Sequence, residues 1–192
     1  MVKKAQSSII GFLLITAIAL VIVGMTFFFA VPTIDKTRNQ DEVVRIENRM
    51  IETHAAIKKV ANEQTQMTVP FNIEKGILTL DNDNTLIYEA NMRLPNTFNP
   101  HLLIGNDTGE IGTLGLDEPG YLLEQGAVEM RLHYVLLMDS AGNCYGVQLR
   151  ALGQVAAGAG NHFVFFKWAG ENTSVLSGCT TTTRQIVDVS IT

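Results

Sequence analysis

Between Lys4 and Asp35 the chain carries no charged side chain, so the thirty positions 5–34 are formally neutral. Water-soluble domains rarely leave so long a stretch uncharged, because the surface of a folded domain is where charge resides. Within it, residues 9–31 form a run of 23 mostly apolar residues. At about 1.5 Å per residue this is roughly 34 Å of helix, against a hydrocarbon core of about 30 Å. The run is therefore expected to be a transmembrane helix. A secretory signal peptide is the rival reading, since Lys3 and Lys4 make a short basic start. Its apolar core, however, is about 7–15 residues long and ends at small residues spaced as Ala-x-Ala. Here the run closes Phe27-Phe28-Phe29-Ala30-Val31-Pro32, with the bulky Phe28 where a peptidase before Val31 needs a small side chain. No cysteine lies there to take a lipid, so the segment is expected to be retained.

The next thirty residues, 35–64, hold twelve charges, and the remaining 128 hold nineteen. The chain thus reads as an apolar rod, a charged stretch and a moderately polar globular part. Pro32 either starts a second helix or kinks a continuous one, because it has no N–H and crowds the preceding turn. Beyond it, Val43, Ile46, Met50, Thr53, Ile57 and Val60 recur at three and four residues, which places one apolar stripe on an otherwise charged helix. Such a stripe needs a partner. Either it packs on the chain's own globular part, or a share of it meets the same helix of other copies in the manner of a coiled coil.

From Thr65 the period becomes alternating and turn residues recur at short intervals. The clearest strand is 128–138, with Val128, Met130, Leu132, Tyr134 and Leu136 on one face and Glu129, Arg131 and His133 on the other. A turn at 139–143 leads into a strand at 144–149, with Tyr145, Val147 and Leu149 on its apolar face. A hairpin is expected from 76–80 through the turn Asp81-Asn82-Asp83-Asn84 to 85–89. Further strands are expected at 66–72, 162–168 and 184–191, while 91–125 reads as mostly loop with short strands and 156–160 as a flexible turn. Phe163, Phe165, Phe166 and Trp168 crowd one strand, which suits burial on both faces or an interface, with core packing the default. The fold class is therefore α+β: a long N-terminal helix followed by an all-β, sandwich-like head at 65–192.

Cys144 and Cys179 lie in the β part. Bridged, they close a loop of about 35 residues, worth roughly 3–4 kcal/mol in the chain-entropy picture, and imply an oxidising compartment. The alternative is two unrelated buried thiols. The sequons at Asn106 and Asn172 fit an exterior placement of the head, although Lys36, Arg38, Arg45 and Arg49 offset Lys3 and Lys4 in the positive-inside count.

Net charge is −5, with no basic cluster, which argues against nucleic acid as a partner. The four histidines His54, His101, His133 and His162 lack metal-ligand spacing, and His54 and His133 read as surface residues. No nucleophile elbow, phosphate loop or Cys-x-x-Cys occurs. Asp81-Asn82-Asp83-Asn84-Thr85 lacks the Gly and terminal Glu of a calcium loop, and reads as a hairpin tip. No enzymatic activity, cofactor or metal is expected.

Lys3-Lys4-Ala5-Gln6-Ser7-Ser8-Ile9-Ile10-Gly11-Phe12, two lysines, a small residue and Gln directly before the apolar run, resembles the class III signal sequence of archaeal type IV pilin-like proteins. The resemblance implies cleavage by a membrane prepilin peptidase on the cytoplasmic side, between Ala5 and Gln6, leaving residues 1–5 as a basic leader. The helix of 6–64 then stays on the subunit, and its apolar part, with Ile9, Gly11, Leu14, Ile18, Val21, Met25 and Phe28, becomes the filament core beneath a β-rich head. The absence of an acidic residue near Gln6-Ser7-Ser8 departs from bacterial pilins, and only Gly11 and Gly24 interrupt the helix, unlike archaellins. An adhesion-type or minor pilin is the nearer likeness. The implied partners are other copies of the chain, the membrane before assembly, and the filament assembly machinery; the implied mature location is a cell-surface filament. On this reading the charges of 35–64 face water or cross between subunits, and Ile46→Asp leaves expression intact but abolishes filaments. The alternative is a monomeric cell-surface binding domain held by an uncleaved signal anchor.

Overall fold

The structure is a computed structural model that describes residues 2–92, 101–105, 111–125 and 129–192, with the side chains of 2–10, 101 and 125 outside the description. It is one long helix followed by an all-β region of two sheets. Helix α1 (Val2–Glu63) runs through Pro32 without a break. Two compact units divide the chain, Met1–Gln40 and Asp41–Thr192, so α1 from Asp41 onward, with nine of the twelve charges of 35–64, belongs to the unit that holds the sheets.

Twelve strands follow among the described residues: β1 (Gln66–Ile73), β2 (Ile77–Asp81), β3 (Thr85–Glu89), β4 (His101–Ile104), β5 (Ile111–Thr113), β6 (Gly120–Gln125), β7 (Glu129–Tyr134), β8 (Leu136–Met138), β9 (Cys144–Ala151), β10 (Ala156–Ala157), β11 (Gly160–Ser174) and β12 (Thr182–Ile191). One sheet has the order β1-β11-β12-β9-β8-β5, the other β10-β2-β3-β7-β6-β4. Most pairs are antiparallel; β12 with β9 and β5 with β8 are parallel.

The 76–89 hairpin forms as β2 and β3, and 156–160 contributes a two-residue strand on β2 rather than a free turn. The expected single strand 128–138 is two strands in different sheets, with Val128 outside the described residues. The cause is local. Tyr134 and Val135 are both buried, and the Val135 N–H leaves the ladder to donate to the Pro119 carbonyl (2.8 Å), so alternation flips there and Leu137, not Leu136, is buried. In β9 the buried set is Cys144, Val147 and Leu149, whereas Tyr145 is exposed, contrary to the expected face. The aromatic strand is also only half-buried: Val164 and Phe166 face the core, while Phe163 and Phe165 lie on the open side of the sheet.

The core draws on α1 and both sheets. Val43, Ile46, Met50, Ile57 and Val60 join Phe71, Leu78, Leu86, Tyr88, Leu132, Val164, Phe166 and Val187 in one buried cluster, and Thr53 is buried beside them with its hydroxyl on the Arg49 carbonyl (2.7 Å). Tyr88 donates its hydroxyl to the Lys75 carbonyl, and burial pushes its pKa up to about 12.

Two devices complete the head. Asn84, in the left-handed region at φ 59°, donates from Nδ2 to the carbonyls of Tyr134 (3.0 Å) and Val147 (2.8 Å) and accepts the Leu149 N–H at Oδ1 (2.6 Å). One side chain at the β2–β3 turn thus ties that sheet to β9 of the other. At the sheet edge, the Phe163 N–H and carbonyl both bond Thr192. Its partner Pro70 on β1 therefore sits at a non-hydrogen-bonded pair, with its backbone turned to the free edge. Proline there removes a donor from the open strand, a known guard against edge-to-edge pairing.

Candidate assembly and anchoring surface

Apolar side chains surround the helix over residues 12–34. The exposures of Leu14, Ile18, Val21, Met25 and Phe28 run from 51% at Ile18 to 78% at Phe28, and Phe12, Leu13, Ile15, Leu20, Ile22, Phe27 and Phe29 on other faces are as open. A helix apolar on every side is stable only when enclosed by lipid or by other helices. The segment is long and apolar enough to cross a membrane. Its polar groups are satisfied internally: the hydroxyls of Thr16, Thr26 and Thr33 donate to the carbonyls of Phe12 (2.8 Å), Ile22 (2.8 Å) and Phe29 (2.9 Å). Each hydroxyl is thereby presented to hydrocarbon already bonded, which lowers the cost of burying it there. Lys3, Lys4, Ala5, Gln6 and Ile9 belong to the helix, but their side chains lie outside the described residues.

The amphipathic part behaves differently. Val43, Ile46, Met50, Ile57 and Val60 are each at most 2% exposed within Asp41–Thr192, so the stripe is consumed by the chain's own head. The expected effect of Ile46→Asp changes accordingly: it strikes the folding of the head. The charges do not all face water either. Glu42 is buried, accepts the N–H groups of Glu74 (2.9 Å) and Lys75 (3.4 Å) at Oε1, and pairs with Arg45, which also holds Glu74 (2.8 Å). A buried carboxylate is tolerable only with such a set of donors.

His54, expected on the surface, is buried. Its Nδ1 lies 3.1 Å from the Tyr134 hydroxyl and its Nε2 3.6 Å from Glu118, which Lys58 holds at 2.5 Å. With Nε2–H directed at the carboxylate, Nδ1 accepts the tyrosine proton. Burial, followed by the charge of Lys58, holds the His54 pKa below its ordinary value, and burial pushes that of Tyr134 well up. The hydrogen bond from Lys58 holds Glu118 below the usual carboxylate range. Gly120 makes the cluster possible, since a Cβ there would sit 2.9 Å from His54 Nδ1 and 3.0 Å from the Tyr134 ring. His133 is half-buried with Nδ1 at 2.6 Å from the Thr85 hydroxyl.

Cys144 and Cys179 form a disulfide with a Cα separation of 5.7 Å. It joins the start of β9 to the β11–β12 loop, beside the Thr180 N–H bond to the Gly142 carbonyl (2.7 Å) and the Thr181 hydroxyl bond to Asn143 (2.7 Å). Asn172 is exposed on β11, opposite Arg184, whereas Asn106 lies outside the described residues. The 81–85 turn is a hairpin tip whose Asn84 is committed to backbone, and no cluster of His, Cys, Asp and Glu suited to a metal occurs among the described residues. The burial of Glu42 and His54 and the tie made by Asn84 escape the sequence, because their partners lie 32, 80 and up to 65 residues away. No protein-family model, curated protein or solved structure matches the chain.

Proposed function

We propose that this chain is a structural subunit of an archaeal type IV pilus-like surface filament, of the adhesion or minor pilin type, made as a prepilin and polymerised through its N-terminal helix. The observation that carries the reading is the division of α1: residues 43–60 spend their apolar stripe inside the head, while residues 12–34 keep apolar side chains open on all sides. The upper segment therefore has surface for lipid and for further copies, whereas on the lower segment Val44 alone of the large apolar side chains is exposed. Before assembly the membrane solvates the rod. On assembly, tails as apolar as leucine are exchanged for neighbouring rods, so close packing supplies the attraction and an external motor the work of extraction. The basic leader before Gln6 supplies the processing site for the prepilin peptidase.

Electron microscopy of cells overproducing the chain, labelled with antibody to the head, tests the proposal. Labelled filaments are expected. A chain that is present in the membrane but decorates only a smooth cell surface contradicts the filament reading and favours a monomer on a signal anchor.

A further inference from the structure

We propose that the cleft between the β2–β3 turn, β9 and the β11–β12 loop binds a hexuronate, a sugar with one carboxylate and several hydroxyls. The cleft has a volume of about 490 Å³, within the range of small-ligand sites. It is built wholly within Asp41–Thr192 and does not depend on the filament reading.

Arginine usage points to the carboxylate. Of the five described arginines in this unit, four hold an acid: Arg45 with Glu42 and Glu74, Arg49 with Glu52, Arg131 with Glu129 and Arg150 with Asp188. The fifth, Arg184, lines the cleft half-buried, with no carboxylate partner among the described residues. A guanidinium offers a planar pair of donors that matches a carboxylate. Around it the cleft presents Asn82, Asp83, His133, Gln148 and Ser177. The Thr85 hydroxyl donates its one proton to the Asp83 carbonyl (3.0 Å), so His133 Nδ1–H donates to Thr85 and Nε2 is left as an acceptor. Asp83, His133 and the two amides provide acceptors and donors for sugar hydroxyls. The Asp83 carboxylate disfavours phosphate, whose second negative charge it repels, more than a singly charged sugar acid.

The site is also preformed. Asn84 fixes the turn through three bonds, and the Cys144–Cys179 bridge fixes the loop that carries Ser177. Binding to such a frame involves little ordering of the protein.

Calorimetric titration of the full chain in detergent micelles with D-galacturonate, D-galactose, acetate and inorganic phosphate tests the inference. Galacturonate is expected to bind at least about tenfold more tightly than galactose, the typical weight of a charged hydrogen bond. Arg184→Gln is expected to abolish that difference, and Gln148→Ala to weaken both sugars. Equal affinity for galacturonate and galactose overturns the carboxylate assignment. Acetate or phosphate binding as tightly as galacturonate overturns the sugar assignment, and no heat with galacturonate overturns the site itself.

Discussion

Replacing Asn84 tests the tie between the two sheets. Asn84→Ala removes two donated bonds and one accepted bond, all to backbone groups of Tyr134, Val147 and Leu149. At roughly 1 kcal/mol net for each hydrogen bond the loss is about 3 kcal/mol. Alanine at φ 59° adds roughly 1 kcal/mol of left-handed strain. Asn84→Gly loses the same bonds without that strain, so it is expected to cost less than alanine. Asn84→Asp keeps the acceptor for Leu149 but sets a carboxylate against two carbonyl oxygens, and is expected to be the worst of the three. Unfolding of the full chain in detergent, followed by the fluorescence of its single tryptophan, Trp168 on β11, reports the change. For a unit of this size, the combined loss of about 4 kcal/mol for alanine corresponds to about 8–16 °C in Tm. A shift below about 2 °C for Asn84→Ala, or glycine costing more than alanine, refutes the reasoning.

Ile46→Asp loses about 2 kcal/mol of apolar burial and leaves a buried carboxylate unpaired, at several kcal/mol more, against a total stability of about 5–15 kcal/mol. Limited proteolysis is expected to find the head unfolded, and Ile46→Val to leave it folded; a protease-resistant Ile46→Asp head contradicts the packing. Stability of the head is expected to hold steady above pH 6.5 and to fall as pH drops below it, because burial depresses the His54 pKa and the unfolded chain then takes up the proton first. Glu118 also has a lowered pKa, so its contribution is lost only at more acid pH. His54→Gln should flatten the profile between about pH 5 and 7, and an unchanged slope in denaturant titrations opposes the assignment. Pro70→Val restores a donor to the free edge of β1 and is expected to bring concentration-dependent association in sedimentation experiments, with identical sedimentation counting against the guard.

The parts of the fold that were legible are those whose signal is local. The stripe from Val43 to Val60 repeats with the helical period and is buried, and the hairpin of β2 and β3 is announced by four turn-forming residues between alternating runs. The Cys144–Cys179 pair was legible because two cysteines admit only one bridge. The apolar run Tyr134-Val135-Leu136-Leu137-Met138 concealed the passage from one sheet to the other, since continuous apolarity carries no period to show a flip. Glu42 and His54 looked like ordinary charge on a solvated helix; their burial depends on donors and acceptors supplied by distant segments. The cleft around Arg184 is likewise assembled from six separate stretches of chain, and no spacing in the sequence brings them together.

The mature N-terminus bears most directly on the central claim, that the apolar helix stays on the subunit and joins copies together. Intact mass of the chain recovered from sheared surface filaments is predicted to correspond to a start at Gln6, with all of residues 12–34 present. A product that begins downstream of Pro32, or a surface form that retains Met1 and never enters a filament, contradicts the account.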